Sequence, residues 1–173
     1  MQRELINMQK RNVWELISRT NGMKTVKNKW VYSIKKNEEG DVKFKARLVA
    51  VGTSQKPGIH YKESFALVLK LESARMMLAI AAKGFQIRQY DVTAAYLYGE
   101  LEETVHIESP GLVKDAEKVC RLRKSIYGLP QSGYQWNREI NKTLIKLGWR
   151  RTVEDPCVYI LEEQHEIAVY KAN

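Results

Sequence analysis

The run VKFKARLVA at residues 42–50 is the most constraining stretch of this chain, because its side chains alternate strictly between two sets. Successive residues on a strand point to opposite faces. Val42, Phe44, Ala46, Leu48 and Ala50 therefore share one face, and Lys43, Lys45, Arg47 and Val49 share the other. Wound into a helix, the same residues would spread both sets around the circumference. Upstream, Lys29 to Ile34 (KWVYSI) is rich in β-branched and aromatic residues, and NEEGD at 37–41 is a polar, glycine-bearing turn between the two runs. The pattern predicts an antiparallel hairpin whose second strand carries three cations on one face.

Around the hairpin, helical and strand periods alternate without repeats or low-complexity tracts. Residues 1–20 fit a short helix, with Leu5, Met8 and Val13 spaced for one face, followed by an irregular lead-out. A Gly/Pro loop (GTSQKPGIHY) leads to a helical stretch over 71–85, where Leu71, Ala74, Leu78, Ala81 and Phe85 form an apolar stripe. Ile87 to Val92 reads as a strand, followed by a compact turn and a helix start through Tyr96. Val105–Ile107 and Val119–Leu122 read as short strands. Trp136, Ile140, Leu144 and Leu147 predict an amphipathic helix closed by Gly148. Asp155-Pro156 then leads into a strand from Cys157 to Leu161, a polar turn EEQHE, and a last strand from Ile167 to Tyr170. The predicted class is α+β, an antiparallel sheet carrying helices on one face. With 173 residues, 44% of them hydrophobic, the chain can bury one real core in one or two closely packed subdomains.

Charge is unevenly placed. Residues 1–61 hold 13 Lys and Arg against 5 Asp and Glu, a balance of +8, whereas residues 62–173 hold 16 against 15, a balance of +1. A basic excess confined to the N-terminal third is either a solvated lysine-rich surface or a footprint for a polyanion, nucleic acid being the commonest. No apolar run approaches the roughly 18 residues of a membrane-spanning helix, and no signal-peptide pattern opens the chain. No membrane association is expected, and an intracellular setting is. The two cysteines, Cys120 and Cys157, have no metal-type spacing and read as buried thiols of a reducing compartment.

Two stretches carry candidate chemistry. In QYDVTAAYLYGEL (89–101), Asp91 ends an apolar run, where a carboxylate either caps the following turn or meets a cation or metal. In SIYGLPQSGYQW (125–136), a tight backbone precedes a helix, and Gln131 stands just before it with an amide able to project into a groove. Taken in order, KNKWVYSIKKNEEGDVKFKARLVAVGTSQKPGIHYKESF, QYDVTAAYLYGELEETVHIESP, VCRLRKSIYGLPQSGYQW and DPCVYI resemble the reverse transcriptase of copia-type LTR-retrotransposon Pol polyproteins, over roughly residues 10–170.

The resemblance implies the fingers and palm of a right-hand polymerase: an N-terminal helix and lead-in at 1–20, a fingers-like subdomain at 21–85, and a partial palm at 86–173. It implies RNA-templated DNA synthesis by phosphoryl transfer, with two Mg²⁺ ions, a primer–template and a deoxynucleoside triphosphate as partners. Asp91 matches the first catalytic, metal-binding aspartate. Tyr96 matches the aromatic gate beneath the incoming sugar, and Gln131 matches a nucleotide-contacting glutamine, although LPQSG departs from the more usual form with a Lys and an Ala-Pro. Lys45 and Arg47 match the region that binds the triphosphate, and alternation independently puts both on one face, suited to phosphate oxygens.

A second departure from the family pattern lies at the closing hairpin. The closing hairpin should run into Tyr-x-Asp-Asp, whose two carboxylates complete the metal site. Tyr170 is present, but Lys171, Ala172 and Asn173 follow it, so Ala172 and Asn173 stand at the degenerate catalytic positions. Ala offers no oxygen, Asn offers one neutral carbonyl, and Lys171 adds a repelling charge. The expectation is a two-ion site that does not form and a chain without polymerase activity; the family's next strand, thumb and RNase H region are not expected within it. Asp155 and Glu154 precede the strand rather than sit at its tip, so its five or six residues would separate them from the site by roughly 17–20 Å, and they are not substitutes. The other readings are a non-catalytic, basic nucleic-acid-binding remnant and a genomic remnant without a role. His60, His106 and His165 share no ligand spacing, and Trp14, Trp30, Trp136 and Trp149 read as packing residues.

Overall fold

The computed structural model describes residues 1–36, 40–110, 117–162 and 166–170. Helix α1 (Gln2–Lys10) opens the chain. It buries Met8 completely, while Leu5 is half-buried. The stretch after it is not an irregular lead-out. Trp14–Ser18 forms strand β1, and its partner is the distant β5 (Lys118–Lys124), which also pairs with β4 (Glu100–Glu108). Strand β5 is central in this antiparallel sheet. Its Val119, Cys120 and Leu122 are buried, whereas Lys118, Arg121 and Arg123 are exposed. Arg121 and Arg123 both pair with Glu15 across the β1 side.

The hairpin at 28–50 forms as its alternation requires. β2 (Asn28–Lys36) pairs in antiparallel register with β3 (Val42–Ala50), Trp30 opposite Leu48 and Val31 opposite Arg47. Only its base is in the core: Leu48 and Ala50 are buried, but Phe44 is 78% exposed on the same face. Turn residues 37–39 lie outside the described residues. The third sheet is β6 (Arg150–Arg151), β7 (Val158–Leu161) and β8 (Glu166–Val169), with β7 central. Most of the EEQHE turn, including His165, lies outside the described residues. The expectation of one sheet is therefore corrected: among the described residues the class is α+β with three separate antiparallel sheets.

Two expectations between 71 and 92 also need correction. Helix α2 (Leu71–Ala81) forms, but its inner face is Ser73, Ala74, Met77, Ile80 and Ala81, all only half-buried, while Leu71, Leu78 and the later Phe85 point to solvent. Ile87 to Val92 forms no strand, and Ile87, Tyr90 and Val92 are exposed. A strand exists only by pairing its N–H and C=O groups with a neighbour, and this segment pairs with no strand among the described residues. Helix α3 (Ser132–Lys146) buries Ser132, Gln135, Trp136 and Asn137, with Ile140 and Leu144 half-buried and Leu147 exposed. Gly148, at φ +90°, ends it in the left-handed conformation that favours glycine. Cys120 and Cys157 are both free and buried, and burial pushes the Cys120 thiol up to about 11.

The basic hairpin is tied to the rest at both ends of its base. At the start of β2 the Asn28 side-chain amide donates to the Glu108 carbonyl at 2.6 Å, and the preceding Val26 pairs with β4. At the end of β3 two backbones cross closely. The amide of Ala50 donates to the Tyr127 carbonyl at 2.7 Å, and Val49 bridges Tyr127 in parallel. Two glycines make this approach possible. A Cβ at Gly52 would lie 2.2 Å from the Gly128 carbonyl oxygen, and one at Gly128 would lie 2.1 Å from the Ala50 carbonyl oxygen. Gly128 also sits at φ +87°. Below the junction, Met8, Val13, Leu48, Ala50, Leu97, Val105, Ile107, Cys120, Leu122, Ile126 and Leu129 form one core.

Gly22 provides the contrast, with φ +81° but open space around its missing Cβ. Gly22→Ala should lose only the cost of left-handed backbone, about 1–2 kcal/mol. Gly128→Ala should lose clearly more in urea denaturation, because strain and clash add. Equal losses would show that the junction is loose.

Candidate functional site

The residues singled out in the sequence converge unevenly on this junction. The loop from Ser125 to Gln131 runs along the end of β3 and is held by short polar contacts. The Ser125 amide donates to the Gly99 carbonyl at 2.7 Å, its hydroxyl donates to the Tyr96 carbonyl, and the Ser132 hydroxyl donates to the Ile126 carbonyl. Gly99 lies against Gln135 so closely that a Cβ would come within 2.9 Å of it. These contacts fasten the 3₁₀ turn Ala95–Tyr98 to the loop and to α3. Tyr96 and Tyr127 consequently meet edge to face, ring centroids 5.1 Å apart.

Arg47 reaches the same place from β3, its guanidinium 5.3 Å from the Tyr127 ring centroid, the geometry of a cation–π contact. Burial raises the Tyr127 hydroxyl above its ordinary value, with Arg47 opposing. Glu4 of α1 faces the same arginine: burial raises its carboxyl, against the pull of Arg47, the chain's amino terminus and Arg11. Lys45 is half-buried on β3 opposite Ser33, on the same strand face as Arg47. Arg11 stacks on Tyr98 with its carbon 5.2 Å from the ring centroid and donates to the Tyr98 hydroxyl at 3.3 Å.

From Tyr98 an aromatic row continues to Trp136 (6.1 Å) and on to Tyr170 (6.3 Å). Tyr170 is fixed at the end of β8 by its amide, which donates to the Cys157 carbonyl at 2.8 Å. Burial raises its hydroxyl far above the ordinary value, and the nearby Tyr96 adds to the rise. The structure thus brings Tyr96, Tyr127, Trp136, Tyr170 and Arg47 into one aromatic, cation-edged neighbourhood.

Gln131 and Asp91 occupy opposite extremes. Gln131 is the residue before α3 and is wholly buried, and neither its amide nitrogen nor its amide oxygen has a hydrogen-bond partner among the described residues. An unpaired buried amide costs on the order of 1–3 kcal/mol, so such a group stands ready for a ligand, a water or a small rearrangement. Asp91 is exposed, on the unpaired segment that precedes the turn. Between Asp91 and Tyr96, Ala94 holds φ +57°, a left-handed conformation unusual for a residue with a Cβ. Ala172 and Asn173 lie outside the described residues. No cluster of three or more His, Cys, Asp or Glu that could hold a metal ion occurs among the described residues.

The sequence pattern does not mark Tyr127, Glu4 or Gly52 as site residues. The one available signal was the pair of glycines, Gly52 after a strand and Gly128 after a tyrosine, which mark two backbones passing close. His60 accepts from the Lys56 amide at 2.8 Å, a turn-stabilising role.

The family model for reverse transcriptase (RNA-dependent DNA polymerase) matches residues 11–170. The chain is 39% identical over 166 residues to the retrovirus-related Pol polyprotein from transposon TNT 1-94 of Nicotiana tabacum, a match covering 92% of this chain and 12% of that protein. It is 37% identical over 144 residues to the Pol polyprotein from transposon RE2 of Arabidopsis thaliana, covering 80% of this chain and 10% of that one. Identity to the transposon Ty1-MR1 Gag-Pol polyprotein of Saccharomyces cerevisiae is 30% over 145 residues, 79% of this chain and 8% of the yeast protein. The chain thus spans about a tenth of the length of these relatives, and no solved structure matches it. The chain belongs to the reverse transcriptase (RNA-dependent DNA polymerase) family of retrotransposon Pol polyproteins.

Proposed function

We propose that the chain is the fingers and part of the palm of a retrotransposon reverse transcriptase, and that as it stands it binds polymerase ligands without extending a primer. Residues 1–20 are the lead-in, 21–85 the fingers-like part with the basic ribbon, and 86–173 the partial palm. Arg47 and Lys45 would meet the triphosphate, Tyr96 the sugar, and Gln131 the nucleotide through its unspent amide. In support, Arg47, Tyr96 and Tyr127 already share one neighbourhood.

The observation that carries the inactive reading is the donor set. A pair of Mg²⁺ ions supplies charge stabilisation to the attacking and leaving oxygens and needs several carboxylate oxygens in near-octahedral geometry. Here Asp91 offers one carboxylate, Ala172 offers nothing and Asn173 offers a neutral carbonyl. Those residues do not fit two ions, and no step through them is derived. Losing such a clamp removes several kcal/mol of transition-state stabilisation, and each ~1.4 kcal/mol is tenfold in rate. Primer extension with Mg²⁺ or Mn²⁺ should therefore show no incorporation above background. Robust incorporation that Asp91→Asn abolishes would contradict the proposal.

A second reading, a non-catalytic nucleic-acid binder, is favoured by the ribbon itself. Lys43, Lys45 and Arg47 line one face of β3, and Lys35 stands opposite Lys43 in register. Three neutralised phosphates would release counterions with a log–log salt slope near −2.7, so affinity for a primer–template should fall roughly 40-fold between 50 and 200 mM salt. Fluorescence anisotropy measures this directly. The variant K43Q/K45Q/R47Q should flatten the slope; an unchanged slope would remove the ribbon from the interface.

A further inference from the structure

Helix α2 is attached to the molecule in an unusual way. It buries none of its eleven residues completely, so apolar packing does little to fix its place. Its N-cap residue, Lys70, makes no side-chain capping bond, which leaves the first-turn N–H groups without the usual local acceptor. The acceptor comes instead from 85 residues away: the Lys70 amide donates to Asp155 Oδ2 at 3.0 Å. The Ser73 hydroxyl also hydrogen-bonds Asp155. In a capping box the side chain three residues into the helix reaches back to the N-cap amide. Here that residue is Ser73, too short to do so, and Asp155 takes the place of its carboxylate.

The same carboxylate has a second commitment. Its Oδ1 accepts from the Cys157 amide at 2.9 Å, at the entrance to β7. The turn that presents it is itself braced: the Asp155 carbonyl accepts from the Thr152 hydroxyl at 2.8 Å and from the Val158 amide at 2.9 Å. Arg151 Nε donates to the next carbonyl, that of Pro156, at 2.9 Å. Lys70 Nζ donates to the Glu154 carbonyl, so the helix start grips the turn from both sides. Asp155 is only 3% exposed. A buried carboxylate bonded on both oxygens at a helix N-terminus is favoured by the helix dipole and by charge-assisted hydrogen bonds.

We infer that Asp155 is a positioning residue: it caps helix α2 from outside and pins the start of that helix to the β7–β8 hairpin. The contacts alone carry this statement. Its bearing on polymerase geometry rests on the proposed function, since the chain leaving α2 carries Asp91 while the β7–β8 hairpin carries Tyr170. Asp155 would then be the link that sets the first against the second.

The test is amide hydrogen exchange, which does not depend on activity, so a positive primer-extension result would leave it standing. In Asp155→Ala, first-turn amides of α2 should exchange faster by roughly three- to thirtyfold, the range expected for a lost cap. Amides of β5 should change far less. Adding Lys70→Ser supplies a local cap and should restore α2 protection without repairing the turn. Ser73→Ala, which leaves the β7 entrance untouched, should give a smaller acceleration confined to α2 and keeps the idea testable if Asp155→Ala does not fold. Exchange of α2 within twofold of the parent chain in Asp155→Ala, acceleration of β5 by the same factor as α2, no recovery with Lys70→Ser, or no effect of Ser73→Ala would each overturn the inference.

Discussion

The close passage of two backbones at Gly52 and Gly128 is the constraint on which the rest of the structure depends. Leu48 and Ala50 are the part of the basic ribbon that reaches the core, and its outer half stands clear of the body. The Ala50–Tyr127 hydrogen bond at 2.7 Å holds the end of β3, and Gly52 and Gly128 permit that approach because a Cβ on either would clash, while Asn28 holds the start of β2 to the Glu108 carbonyl. The loop that receives β3 is the loop that presents Tyr127 and leads to Gln131 and α3. This junction brings the cations of β3 beside the aromatic residues. Its strength is geometric rather than large in energy: a single backbone hydrogen bond contributes about 1 kcal/mol, whereas a misplaced Cβ would push the two segments apart.

Around that junction the site is built from aromatic faces and two arginines, Arg47 over Tyr127 and Arg11 over Tyr98. Tyr96 and Tyr127 pack edge to face, Arg47 lies over Tyr127, and Trp136 separates Tyr98 from Tyr170. Glu4 tempers the positive field at Arg47, though its own burial disfavours the charge. Both polar atoms of the Gln131 side chain lack a hydrogen-bond partner among the described residues. Such an arrangement suits recognition of a ligand with a flat apolar face and anionic oxygens.

Most of the local structure was legible from period alone, and the failures share one cause. The ribbon announced itself because Val42 to Ala50 alternates and a turn precedes it. Helix α3 announced itself because Trp136, Ile140 and Leu144 recur at helical spacing before Gly148. Strand β1 was missed because Trp14–Ser18 is short and its partner lies about a hundred residues away; nothing local signals a pairing of that range. Ile87–Val92 failed in the opposite sense, since it has strand-like residues but joins no ladder among the described residues. The stripe assigned to α2 was rotated because a half-covered helix does not have to bury its most apolar side. For the candidate site, Arg47 and Lys45 could be placed on one face from alternation, and Tyr96 near a turn from spacing. The depth of Gln131 and the role of Asp155 were not readable, since both depend on which distant backbone comes to lie beside them.

The central claim is that the ribbon and the tyrosine loop are locked together at one backbone crossing. Native-state hydrogen exchange of the Ala50 amide tests it most directly. The account predicts exchange only on global unfolding, with a protection free energy equal to that of the β5 core amides such as Cys120. Exchange of Ala50 orders of magnitude faster than Cys120, through a local opening of the ribbon, would contradict it.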